Sequence, residues 1–120
     1  MAHLIFVCKY RKHLLVRYGD QIKHLLNDIA KVNDFEIIEM EVDKDHVHLL
    51  VSYNPKQSIL EVVRLLKQMS TFRIWRQNNN HTHLSKQFWK EKTFWSDGYF
   101  ACSIGNVSKD IIEKYIQSQG

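Results

Sequence analysis

Apolar residues in this chain repeat with period two in some stretches and with period 3.6 in others, and the order of those stretches is what most limits the fold. Residues 3–10 alternate Leu4, Phe6, Cys8 and Tyr10 against His3, Ile5, Val7 and Lys9, with strand formers on both sides, which predicts a central strand. Ile22, Leu25, Leu26, Ile29 and Val32 then fall at helical spacing and predict a helix over about 16–33. Residues 36–43 alternate Ile38, Met40 and Val42 against Glu39, Glu41 and Asp43, a strand with one buried and one acidic face. Asp43-Lys44-Asp45 is a tight polar turn, and residues 46–53 form a third strand in hairpin with the second. Pro55 ends it. Ser58 and Glu61 make a capping box for a helix carrying Val62, Leu65, Leu66, Met69 and Phe72 and running to about Gln77. Residues 78–97 are polar and aromatic with little periodicity and predict a functional loop. Residues 99–104 make a fourth strand, and Ser108 caps a final helix, with Val107 set to staple onto Ile112.

The order β-α-β-β-α-β followed by a helix is the split-βαβ, ferredoxin-like and RRM-like α+β arrangement. It predicts a four-stranded antiparallel sheet with the first and third strands central, two helices on one face and the other face open to a ligand. With 120 residues, 44% hydrophobic and 25% charged, the chain suits a single domain over 1–120 with one real core. One proline and four glycines exclude long flexible linkers. No stretch approaches the roughly 18 apolar residues of a membrane span. The first basic cluster follows the first apolar stretch, which argues against a secretory signal, so a cytoplasmic location without membrane contact is expected. Cys8 and Cys102 make neither a disulfide framework nor a metal-ligand spacing and are expected as small buried hydrophobes on neighbouring strands.

Seventeen Lys and Arg against 13 Asp and Glu give a formal +4, a modest excess until the charges are placed. Residues 62–90 hold Arg64, Lys67, Arg73, Arg76, Lys86 and Lys90 with no acid, and residues 1–19 hold Lys9, Arg11, Lys12 and Arg17 with none. Asp34, Glu36, Glu39, Glu41, Asp43 and Asp45 crowd around Lys44 alone. Segregation of this kind fits a basic face for a polyanion and an acidic locus for a cation. Ordinary surface charge is the alternative.

His46-Val47-His48 is the most informative triplet. Alternate strand residues point the same way, so both imidazoles emerge on one face of a rigid element while Val47 enters the core. Two neutral ring nitrogens at that spacing hold a cation but leave it under-coordinated, as an open catalytic site requires. Asp43 and Asp45 lie just upstream, placed to orient an imidazole. The alternative is two exposed histidines. His81-Thr82-His83 has the same spacing but no apolar strand to fix it and reads as a surface loop. On the final helix, over 108–119, Ile111, Ile112 and Ile116 supply a packing stripe, and Tyr115 and Gln119 share one face. Beside a histidine pair, the amide oxygen of Gln119 is a hard third ligand and Tyr115 a nucleophile, its phenol weak until a cation activates the electrophile. The alternative is a helix-end tyrosine half-buried against the sheet. Across residues 87–100, bases alternate with Phe88, Trp89, Phe94, Trp95, Tyr99 and Phe100, the composition of a single-strand nucleic-acid binder. Loop packing is the alternative, and for Trp95 and Phe100 the better one.

Taken together, these residues resemble the single-tyrosine HUH transposases of bacterial insertion sequences, the small TnpA type, with the REP-associated tyrosine transposases as near relatives. The resemblance rests on His46-Val47-His48 within DKDHVHLLV, KYR at positions 9–11, WSDGYF at 95–100 and GNVSKDIIEKYIQSQ at 105–119, in the family's order across nearly the whole chain. It implies that Tyr115 attacks a DNA phosphate to leave a 5′-phosphotyrosine link and a free 3′-OH, with His46, His48 and Gln119 holding Mg²⁺ or Mn²⁺. It further implies single-stranded DNA with hairpins at the element ends as substrate, and a homodimer in which the tyrosine helix of one subunit can complete the partner's site, with cis or trans placement of Tyr115 left open. Lys9, Arg11, Arg64, Lys67, Arg73 and Arg76 are the expected DNA contacts. Relatives often carry a leading segment and extend past the glutamine; with the tyrosine, the glutamine and both histidines present, an active form is expected. Competing readings are a domesticated monomeric nuclease of REP hairpins, a non-catalytic RRM-like nucleic-acid binder, and a zinc-binding regulatory domain. The RRM reading lacks stacking rings on the third strand, where histidines stand instead.

Overall fold

The structure, a computed structural model, describes residues 1–103 and 109–119, with side chains in the last segment from Lys114 onward. Strands β1 (Ala2–Val7), β2 (Glu36–Val42), β3 (His46–Ser52) and β4 (Phe100–Ser103) form one antiparallel sheet in the order β2-β3-β1-β4. The first and third strands are therefore central, as the element order predicts.

One face is the main core. Ala2, Leu4 and Phe6 of β1 and Val47, Leu49 and Val51 of β3 are buried against helices α1 (Leu14–Val32) and α2 (Ile59–Arg76). The α1 stripe of Tyr18, Ile22, Leu25, Leu26 and Ile29 recurs every three or four residues, which is why one side of that helix is wholly buried. Ser58 caps α2 by accepting the Glu61 amide at 3.1 Å, the Ser58 half of the expected capping box. The opposite face is only half open. Helix α4 (Lys109–Ser118) lies over it, and Ile116 and Tyr115 pack with Ile5, Val7 and Phe100 in a separate cluster. Val107, Ser108, Ile111 and Ile112 fall outside the described side chains, as does the predicted end of β4 at Ile104.

Three local expectations are corrected. A bulge between Ile37 and Glu39 shifts the register of β2, so Ile37 packs on the core and Ile38 faces solvent. Phe72 is not in the α2 stripe: Val62, Val63, Leu66, Ile74 and Trp75 are buried, while Phe72 is 60% exposed with the Arg76 guanidinium 4.9 Å from its ring centre. The segment expected as a loop contains helix α3 (Asn80–Gln87). Tertiary contacts hold it: Leu84 is fully buried, Asn80 Nδ2 donates to Gln21 Oε1 and the Ile74 carbonyl at 2.7 and 2.9 Å, and Tyr18 Oη lies 2.6 Å from His83 Nδ1. His81 and His83 are thus on a helix, two apart, where side chains do not converge.

After β1, Lys9–Arg11 form a 3₁₀ turn in which Tyr10 (φ 59°) and Arg11 (φ 52°) adopt left-handed backbone, uncommon for residues with a side chain. Cys8 is buried and pairs with Trp95, its thiol pushed up by burial, whereas Cys102 on β4 is half-exposed.

Candidate active site

Strand pleating fixes which side chains share a face. His48 pairs with Ile5 and His46 with Val7, so both imidazoles stand on the face that α4 partly covers, beside the residues on which Tyr115 and Ile116 pack. Glu41 pairs with His48 and brings the acidic side of β2 to the same face.

Each imidazole has a polar partner. His46 Nδ1 lies 2.9 Å from Asp45 Oδ1, and the other oxygen of that carboxylate accepts from Arg11 Nε at 3.4 Å. Burial by itself would raise the Asp45 carboxyl, but the hydrogen bonds and charges of His46 and Arg11 outweigh it and hold it below its ordinary value. A carboxylate on Nδ1 fixes the ring and its tautomer, leaving Nε2 as the free donor, as in metal sites. His48 Nε2 lies 3.2 Å from His3 Nδ1. Burial and then the His3 charge lower the His48 pKa, against Glu41 and Glu39, which favours the neutral, ligating form.

The second half of the site closes around Gly98. A Cβ there would meet Gln119 Oε1 and Tyr115 Oη, both at 3.5 Å, so the phenol and the amide converge on one backbone position. Gln119 Oε1 accepts from Ser96 Oγ at 3.0 Å, and the Ser96 amide donates to the Val7 carbonyl at 2.7 Å. Val7 pairs with His46, so three contacts link the Gln119 amide to the histidine strand. Tyr115 Oη is buried with no hydrogen-bond partner among the described residues, and burial pushes its pKa up to about 12. An orphaned buried hydroxyl is costly, and a phenol that high is a poor nucleophile unaided.

The donor set fits a divalent cation. Among the described residues no three His, Cys, Asp or Glu side chains cluster to hold a metal, so two imidazoles need a third donor of another kind. The Gln119 amide oxygen and the Tyr115 phenol, on the same face of the sheet, are oxygen donors of the kind such a cation accepts.

Loop 95–98 is held from behind. Lys67 Nζ donates to the carbonyls of Ser96, Asp97 and Gly98 at 2.7, 3.1 and 2.9 Å, and burial lowers its pKa. The Trp95 indole donates to Ser70 Oγ at 2.9 Å, and Lys9 Nζ reaches Asp97 at 3.3 Å. Of the six expected DNA contacts, Lys67 is thus engaged by the loop, Lys9 and Arg11 by carboxylates, and Arg64, Arg73 and Arg76 have no acidic partner among the described residues. The aromatic segment divides likewise: Phe88, Phe94 and Trp95 are buried, whereas Trp89 is 83% exposed. Neither Ser96 nor His3 is marked out by its spacing in the sequence, and Lys67, an expected DNA contact, anchors the loop. Only the register of β1 against β3 and the course of loop 95–98 give them roles.

Among the described residues no helix is long and apolar enough to cross a membrane. Residues 1–119 match the family described as "Transposase IS200 like". The chain is 38% identical over 118 residues to the ISDra2 transposase TnpA of Deinococcus radiodurans, covering 98% of this chain and 81% of that one. To the transposase for insertion sequence element IS200 of Salmonella typhimurium it is 28% identical over 121 residues, covering 98% and 74%. A crystal structure of a Deinococcus radiodurans transposase superposes with a TM-score of 0.86 at 33% identity, covering 98% and 88%. A REP-associated tyrosine transposase solved bound to a REP hairpin shares the fold, with a TM-score of 0.60 at 17% identity over 94% and 60%. A four-stranded sheet with the histidine pair at its centre, the tyrosine helix across it and a match spanning 1–119 make one assignment: the chain belongs to the IS200-like transposase family.

Proposed function

We propose that the protein cleaves and rejoins single-stranded DNA at hairpin-marked insertion-sequence ends, with Tyr115 as nucleophile and a 5′-phosphotyrosine link as intermediate. The observation that carries this reading is the buried, unpartnered Tyr115 hydroxyl beside the Gln119 amide, on the face of the sheet that bears His46 and His48. His46, His48 and Gln119 would hold Mg²⁺ or Mn²⁺, which when bound withdraws charge from the scissile phosphate and favours the phenolate. The chain's own groups do the rest. Asp45 orients His46, Ser96 orients Gln119, and the close packing about Gly98 keeps water from the phenol. The Tyr115 phenol gives up its proton as its oxygen bonds to phosphorus, the bond from phosphorus to the 3′-oxygen breaks, and that oxygen takes up a proton to leave a 3′-OH, so the step is proton-neutral overall. Because the bond energy stays in the protein–DNA link, rejoining needs no nucleotide cofactor.

Arg64, Arg73 and Arg76, free of acidic partners among the described residues, support phosphate binding along α2. A hairpin is the partner we favour, in keeping with the REP hairpin bound by the structural neighbour. A homodimer is part of the reading, with Tyr115 serving either its own site or its partner's. Incubation with single-stranded hairpin oligonucleotides and Mg²⁺ or Mn²⁺ should yield an SDS-resistant protein–DNA adduct that Tyr115→Phe abolishes. Binding without an adduct under either metal overturns the catalytic reading, and a monomeric mass in solution overturns the dimer.

A further inference from the structure

A second feature adjoins loop 95–98. Between α2 and residues 92–97 the surface sinks into a pocket of about 880 Å³, larger than a single nucleotide. Trp75 and Trp95 form its floor, and the ridge Gln68, Phe72 and Arg76, each four residues from the next on α2, forms one wall. Lys92, Ser96 and Asp97 also line the pocket. Its one carboxylate, Asp97, is engaged by Lys9.

Three properties point to one kind of occupant. Phe72 offers an exposed ring in a position that helical periodicity assigns to the core, with a guanidinium 4.9 Å from its centre. The cations Arg76 and Lys92 flank it, so the pocket is aromatic within and positive at the rim, as an unstacked nucleotide requires. The pocket also shares Ser96 with the Tyr115 site, where the Ser96 hydroxyl holds Gln119. The Tyr115 site and the pocket therefore meet at loop 95–98. We infer that this pocket receives one unstacked nucleobase of the cleaved strand, with Phe72 as stacking platform, Arg76 and Lys92 on the adjoining phosphates and the Gln68 amide on the base edge. The inference rests on the single-stranded DNA reading above, and it assigns to the protein a nucleotide preference near the cleavage point.

The test uses a single-stranded hairpin oligonucleotide of the kind used for adduct formation, with 2-aminopurine at successive positions of its unpaired flank, with wild-type protein and with Phe72→Ala, Phe72→Trp and Tyr115→Phe. Because Phe72 is mostly exposed, its alanine variant should fold normally. Stacking should quench the fluorophore at one position in wild-type and Tyr115→Phe protein. Phe72→Ala should lose that quenching and weaken binding about 5- to 100-fold, and Phe72→Trp should restore both. Quenching that is equal in wild-type and Phe72→Ala protein overturns the inference, as does a Phe72→Ala effect confined to the mass of a dimer. If wild-type protein forms no adduct yet quenches in a Phe72-dependent way, the cleavage reading fails and the pocket stands; adduct formation without such quenching gives the converse.

Discussion

Replacing Lys67 by methionine keeps an unbranched side chain of similar length and removes only the ammonium that holds the Ser96, Asp97 and Gly98 carbonyls. Hydrogen bonds from a charged donor contribute about 1.5–3 kcal/mol each, but only where water does not replace them. The bond to Ser96 is partly buried and keeps that weight, whereas the two to Asp97 and Gly98 are exposed and rehydrate, at about 0.5 kcal/mol each. The sum is about 3 kcal/mol, which for a chain of this size is a fall in Tm on the order of 12 °C. The same carbonyls carry Ser96 and Gly98, against which Gln119 and Tyr115 sit, and a displacement of about 1 Å at a reacting group costs on the order of 100-fold in rate. Lys67→Met should therefore melt early by calorimetry and form adduct about 100-fold more slowly, while its affinity for single-stranded DNA changes little. Were Lys67 a phosphate contact instead, the variant would keep its Tm, and the slope of log K against log salt would shrink by about 0.7. An unchanged Tm with a reduced salt slope would refute the anchoring role.

Three further outcomes follow from the geometry. Tyr115→Phe removes a buried hydroxyl that has no partner among the described residues, so urea unfolding should show stability unchanged or raised by up to about 1 kcal/mol even as the adduct disappears; a loss above that would mean the hydroxyl is hydrogen-bonded. Asp45→Asn strips His46 of its carboxylate partner and should weaken Mn²⁺ binding by about 10- to 100-fold in calorimetric titration, and unchanged affinity would show that Asp45 does not position His46 for the metal. Burial, then Arg17 and Lys86, lowers the His83 pKa, so the fold favours the neutral ring. Its contribution is full above the unfolded value near ~6.5 and is lost as pH falls from there through the folded pKa, a slope that His83→Gln should flatten between pH 7.5 and 5. Equal slopes in the two proteins would show that His83 does not carry the linkage.

Period and spacing were enough to read the parts of the fold and site that local chemistry controls. His46-Val47-His48 is legible because a strand admits one alternation, and Tyr115 with Gln119 because a helix admits one four-residue ridge. What stayed hidden depends on partners far along the chain. The bulge that chooses Ile37 over Ile38 is a property of the pairing with β3, not of the β2 sequence. Helix α3 has a single fully buried apolar side chain, Leu84, and takes its order from Gln21, Ile74 and Tyr18. Lys67 resembles any other helix base until the loop it anchors is seen, and Phe72 fits the apolar period while facing outward, a local conflict of the sort expected near functional surfaces.

The left-handed turn at Tyr10 and Arg11 sets stability and chemistry against each other. A residue with a side chain disfavours that backbone by about 1–2 kcal/mol, and glycine does not. Glycine at position 10 would relax the turn but forfeit the contacts of the Tyr10 ring with Phe88 and Lys9 and of its hydroxyl with Glu91. Glycine at position 11 would relax it equally but would remove the guanidinium that steadies Asp45, and through it the His46 ring. At position 11 a relaxed backbone and a well-aimed imidazole are therefore alternatives, and the arginine of this chain holds the imidazole at the cost of the strained turn.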